Sequence, residues 1–139
     1  MQETFLAAKE QIFICNSIID EEIAYQVLAR KAEILSPILE RNLRGFETAR
    51  RWIENQDEFE WVQPQGGVVC FPRIKPALDI DVEAFHRILN DKYGTFVGPG
   101  HWFGMERRYM RVGYGWTSIE ELSNGLNALT LAAQDALRA

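Results

Sequence analysis

The chain has 139 residues, 47% of them hydrophobic and 25% charged, with a formal net charge of −5. That length suits one domain, which buries roughly two-thirds of the surface its unfolded chain exposes. No stretch approaches the roughly 18 apolar residues of a membrane span. The arginines are scattered, with no basic stripe of the kind that follows a phosphate backbone, so neither a membrane nor a nucleic acid is an expected partner.

Cys15 and Cys70 lie in the apolar runs Phe13-Ile14-Cys15 and Val68-Val69-Cys70-Phe71, without metal-ligand spacing and with no secretory signal ahead of them. They read as reduced core thiols of a cytoplasmic protein.

In chain order, residues 2–10 read as a short helix with Phe5, Leu6 and Lys9 at helical spacing, and Gln11–Cys15 as extended. A long amphipathic helix is expected from Asp20, as N-cap, to about Asn55, carrying Ile23, Val27, Ile34, Leu35, Ile38, Leu39, Leu43, Phe46, Ala49 and Ile53. Pro37 is expected to kink it, the other reading being a second helix that starts at Pro37 behind a Ser36 cap. The β-prone runs Phe59–Val62 and Val68–Phe71 flank Pro64-Gln65-Gly66-Gly67 and predict a strand-turn-strand unit, closed by Pro72 and Pro76.

Asp81 predicts the cap of a helix with Val82, Phe85 and Leu89 on one face, stopped by Gly94. Thr95-Phe96-Val97 is expected as a short strand, followed by the glycine-rich loop that begins at Gly98. Tyr109–Tyr114 alternates, which sets Met110, Val112 and Tyr114 on one face and Tyr109, Arg111 and Gly113 on the other. A last helix opens with the capping-box pattern Thr117-Ser118-Ile119-Glu120 and carries Ile119, Leu122, Leu126, Leu129, Ala133 and Leu137 as its apolar stripe. These elements predict an α+β two-layer sandwich, a small and mostly antiparallel sheet of three to four strands covered by helices.

Five of the ten glycines fall between Gly98 and Gly115, beside the strand that carries Arg111. A guanidinium on a strand has a fixed position and can receive a carboxylate through two parallel hydrogen bonds. The structural alternative is that Arg111 pairs with one of the twenty acidic side chains. His101, Trp102 and Phe103 in the glycine-rich loop are candidate pocket-lining residues, Trp116 joining them, although aromatic residues in such settings more often belong to a core. His86, beside Arg87 in a helix, reads as an exposed histidine. Gly98-Pro99-Gly100 is no phosphate loop, because no Gly-Lys-Ser/Thr follows it. No metal site and no catalytic trio is legible.

Three segments in order, Gln63-Pro64-Gln65-Gly66-Gly67-Val68-Val69-Cys70-Phe71, Phe96-Val97-Gly98-Pro99-Gly100-His101-Trp102-Phe103-Gly104 and Tyr109-Met110-Arg111-Val112-Gly113-Tyr114, resemble the carboxyl-terminal small domain of class I/II, fold-type-I pyridoxal-phosphate-dependent aminotransferases. The resemblance covers essentially the whole chain. Gly98 departs from the commoner pattern, which has an apolar residue between the valine and the Pro-Gly pair.

The resemblance implies that residues 1–139 form a single small domain, with residues 1–19 the remnant of a connection to a missing large domain. It further implies that Arg111 binds the α-carboxylate of an amino-acid or 2-oxo-acid substrate, and that the complete enzyme is a homodimer holding pyridoxal 5'-phosphate. The family's Schiff-base lysine and cofactor-phosphate arginine lie upstream of this region. None of Lys9, Lys31, Lys75 and Lys92 has that lysine's setting, so the chain alone is expected to bind no cofactor covalently and to be inactive. A lyase or synthase of the same fold family, and a non-catalytic binding or assembly module, are the alternative readings.

Overall fold

A computed structural model describes residues 2–12 and 17–138. The chain divides into two compact units, Met1–Ile38 and Leu39–Ala139. The first holds helices α1 (Gln2–Glu10) and α2 (Ile18–Ala29) and the beginning of α3 (Lys31–Glu54). Neither α1 nor α2 buries a residue, and Ile18, Ile19, Ile23 and Leu28 stand exposed. Residues 11 and 12 form a turn rather than an extended run; the rest of that expected segment, Cys15 with it, lies outside the described residues.

The cap of α2 is Ser17, whose hydroxyl accepts from the Asp20 amide at 3.4 Å, so Asp20 belongs to the first turn and is not the cap. The single helix expected from Asp20 to Asn55 is broken at Arg30, whose amide closes α2 on the Gln26 carbonyl and whose carbonyl opens α3 by accepting from Ile34, and no second helix starts at Pro37. Pro37 lies inside α3, where it removes one amide donor, and the neighbouring Ser36 hydroxyl donates to the Ala32 carbonyl at 2.6 Å.

The second unit holds every residue classed as buried among those described. Its strands are β1 (Phe59–Glu60), β2 (Val69–Cys70), β3 (Arg73–Ile74), β4 (Gly98–Pro99) and β5 (Met110–Gly113), and its helices after α3 are α4 (Val82–Asp91) and α5 (Ile119–Arg138). The fold is α+β, as expected, but the strands form two antiparallel sheets, β1-β3 and β2-β5-β4. Phe59–Val62 and Val68–Phe71 therefore do not pair with each other: Phe59 faces Ile74 and Cys70 faces Val112. A bridge between Arg73 and Tyr109 links the two sheets. The strand expected at 95–97 begins later, at Gly98, and places Gly98 opposite Arg111 and Pro99 opposite Met110.

The alternation of β5 is as expected. Met110, Val112 and Tyr114 are buried while Arg111 and Gly113 are exposed. The inward set packs with Phe85 and Leu89 of α4 and with Leu122, Leu126, Leu129, Ala132, Ala133 and Ala136 of α5 in one apolar core. Ile119 and Leu137, expected on the α5 stripe, are instead about 40% exposed, while Ala128, Ala132 and Ala136, not expected on it, are buried.

Asp81 caps α4 by accepting from the Glu83 and Ala84 amides at 2.9 and 3.2 Å, and Gly94, with φ +57°, ends the turn that follows it. The α5 cap lies one residue beyond expectation: the Ser118 hydroxyl accepts from the Glu121 amide at 3.1 Å and the Glu121 carboxylate accepts from the Ser118 amide at 2.9 Å. Trp52 of α3 donates to the Thr130 hydroxyl of α5 at 2.9 Å. At α4 and its end, Lys92 and the Tyr93 hydroxyl both reach Asp135 of α5, at 2.6 and 2.7 Å.

Candidate carboxylate site

Arg111 occupies the middle strand of the β2-β5-β4 sheet, on the face turned from the core. Its neighbours on that face are unusually small: Gly98 stands opposite on β4 and Gly113 two residues along β5. A β-carbon at Gly113 would meet nothing, whereas one at Gly98 would press on the Phe103 ring at 3.3 Å and the Arg111 β-carbon at 3.5 Å. The guanidinium thus has glycines opposite it on β4 and two residues along β5, with the Phe103 ring lying over Gly98 and Phe71 following Cys70 on the β2 side.

Arg111 makes no ion pair or hydrogen bond to an acidic side chain among the described residues. Other arginines are engaged: Arg50 with Glu47 and Glu54, Arg73 with Glu60, Arg107 with Glu83. Its near contact is aromatic, with the guanidinium carbon 5.0 Å from the centroid of Phe103. An unpaired guanidinium on an exposed sheet face can accept a planar carboxylate.

Arg111 also borders a cleft of 310 Å³ that Phe96, Val97, Thr117, Glu121 and Leu126 help to line. The Thr117 hydroxyl is buried there without a hydrogen-bond partner among the described residues. The Glu121 carboxyl is held below its ordinary value, chiefly by the Ser118 amide that donates to it.

The glycine-rich loop folds as a single 3₁₀ turn over Gly100–Phe103 and ends at Gly104, whose φ is +70°. His101, Trp102 and Phe103 are all exposed. Trp102 leans on Phe96 at 5.8 Å and His101 lies edge-on to Trp102 at 6.3 Å, while Phe103 alone of the three reaches Arg111. Trp116 is 86% exposed and carries the Arg41 guanidinium at 5.2 Å, so neither it nor Trp102 is a core residue.

His86, expected to be exposed, is half-buried against Phe85, with its ring nitrogen 3.5 Å from the Arg107 carbonyl. Burial lowers its pKa and so favours the neutral imidazole. Cys70 is buried and free, and burial pushes its thiol up to about 12.

Three of the lysines sit beside carboxylates. Lys92 pairs with Asp135 at 2.6 Å, Lys9 with Glu21 at 3.4 Å and Lys75 lies 4.0 Å from Asp57. The Asp135 contact raises the Lys92 pKa, the opposite of what an amine nucleophile requires.

The sequence alone did not single out Phe71, Tyr109 and Arg73 beside this site. Phe71 stacks on Tyr109 at 5.6 Å, and Arg73 donates to the Tyr109 hydroxyl at 2.8 Å while bonding Glu60. The alternation that turns Arg111 outward turns Tyr109 outward with it, which is the signal that was available.

No protein-family model matches the chain, and no curated protein does. Solved structures do. A PLP-dependent aminotransferase from Streptococcus suis 89-1591 superposes with a TM-score of 0.75 and 25% identity over 94% of this chain and 34% of that one. An α-aminoadipate aminotransferase from Thermus thermophilus gives 0.75 and 16% identity over 99% and 36%, respectively. A kynurenine aminotransferase from Pyrococcus horikoshii gives 0.77 and 17% over 96% and 34%. The chain spans about a third of the length of each.

Proposed function

We propose that this chain, whose fold is that of the small domain of a PLP-dependent aminotransferase, supplies the substrate-carboxylate anchor of such an enzyme, with Arg111 as the anchor. One observation carries the reading: Arg111 stands on an exposed sheet face between Gly98 and Gly113, with no acidic partner among the described residues. A strand held by hydrogen bonds on both sides fixes the Cα of Arg111, so little conformational freedom remains to be lost when a carboxylate docks. The reacting pair is an amino acid and its 2-oxo acid. In the complete enzyme, a homodimer, pyridoxal phosphate supplies the electron sink.

The residues of this chain do not suit a covalent hold on that cofactor. Lys92 is paired with Asp135, Lys9 and Lys75 stand near Glu21 and Asp57, and Lys31 is exposed at the start of α3. The chain alone is therefore inactive, and the cofactor lysine belongs to the large domain.

In the full-length enzyme, Arg111→Ala removes the charge-assisted bonds to the carboxylate and lowers kcat/KM for amino acids by roughly one to two orders of magnitude. Unchanged steady-state kinetics would refute the anchor. Mixing the 139-residue chain with pyridoxal phosphate and borohydride should label no lysine selectively by peptide mass analysis; a single lysine labelled stoichiometrically while the others are not would overturn the claim of inactivity.

A further inference from the structure

We infer that Phe103 positions the Arg111 guanidinium for its ligand, an assignment that rests on the carboxylate reading above. A strand fixes an arginine's Cα but not the torsions of its long side chain, and those torsions decide whether its two outward N–H groups lie parallel to a carboxylate. Something beyond the strand must hold the plane. The Phe103 ring lies 5.0 Å from the guanidinium carbon, within the range of a cation–π contact.

The ring is itself held. Phe103 meets Phe71 edge to face at 5.6 Å with an interplanar angle of 88°, and Phe71 stacks on Tyr109 at 5.6 Å with an angle of 19°. The Tyr109 hydroxyl accepts from Arg73 at 2.8 Å, and Arg73 also lies 5.3 Å from the Tyr109 ring while bonding Glu60 at 2.6 Å. Each side chain from Arg111 back to Glu60 is thus in contact with the next. Local backbone makes the approach possible: the 3₁₀ turn ends at Gly104 in the left-handed region and brings the Phe103 ring against Gly98, where any β-carbon would crowd it. A ring contact takes up none of the guanidinium's N–H donors in a hydrogen bond, which a carboxylate partner would.

The test uses the chain itself, isotopically labelled, with propionate as probe and propionamide as the uncharged control. In the wild-type chain, the Arg111 side-chain proton resonances should be shifted upfield by the Phe103 ring current. Phe103→Leu should abolish that shift, and Phe103→Tyr should keep it. Propionate should perturb the Arg111 resonances, and its apparent Kd should weaken by about two- to fivefold in Phe103→Leu, the loss of one exposed cation–π contact, and recover in Phe103→Tyr. Backbone amide shifts of α4 and α5, which pack on the opposite side of the sheet from Phe103, that are unchanged in both variants separate positioning from a general loss of structure.

Two results would overturn the assignment while leaving the anchor intact: an equal Kd in Phe103→Leu, or no ring-current shift in the wild type that nonetheless binds propionate. A wild-type chain in which the ring-current shift is present but Arg111 ignores propionate would overturn the carboxylate reading, and the positioning role with it.

Discussion

Gly45 lies on α3 against the end of β5, and a β-carbon there would overlap the Tyr114 carbonyl oxygen. That oxygen is backbone and cannot swing aside as a flexible side chain would. Gly45→Ala should therefore destabilise the chain by about 1–3 kcal/mol, the usual cost of overpacking a close contact, measured as a lower urea midpoint at unchanged slope. An unaltered midpoint would mean that α3 approaches β5 less closely than described. The same scale explains why the candidate site was only half legible. The outward direction of Arg111 follows from the period of two along Tyr109–Tyr114, and any reader of the sequence can obtain it. Its contact with Phe103 depends on a 3₁₀ turn and a left-handed glycine that no side-chain periodicity encodes.

Among the elements, α4 was legible because its cap and apolar spacing agree, and consistent local signals of this kind specify an element strongly, whereas α5 was legible as a helix with its cap displaced by one residue and both ends of its expected stripe exposed. Asp81→Ala removes the acceptor of two amides at the start of α4 and should cost about 1 kcal/mol, whereas Asp81→Asn, which keeps an oxygen in place, should cost much less. Thermal denaturation of the two variants distinguishes a cap from a charge effect; equal losses would argue against capping.

The strands were harder to read. Each of β1 to β4 is two residues long, too short to display an alternation, and β1 pairs with β3 because the chain after Cys70 turns at the buried Pro72 into a further strand. The break at Arg30 was not legible at all, since no glycine or proline marks it and the helical pattern runs through. Pro37 has the sequence signature of a helix start, yet α3 runs through it.

For the whole molecule, five groups set the response to acid in the same direction, Asp135 beside Lys92 and Glu33 beside Arg30 among them. Burial holds His86 below its ordinary value, the Ser118 amide holds Glu121 below its own, and Arg50, with Arg51, draws Glu47 down to about 2. Each folded-state pKa lies below the unfolded one, so the unfolded chain binds more protons and stability is lost as pH falls. The loss should begin as pH drops through the ordinary histidine value near 6.5, continue through the glutamate value of 4.5, and be complete only near 2. The carboxylates are at least partly solvent-exposed, which screens their share. Urea midpoints taken across this range should decline monotonically, and His86→Gln should flatten the portion above about pH 5. A midpoint that rises on acidification would contradict these assignments.

The outer strand of the sheet beneath Arg111 is only Gly98–Pro99, with Pro99 buried against Met110. Proline has no amide hydrogen to offer, and a strand of two residues gives another chain almost no backbone to pair with. The border nearest the arginine is thereby closed to strand addition. The molecule can present the glycine-flanked surface around Arg111 to a small anion without that border also offering a template on which copies of itself would assemble into fibres.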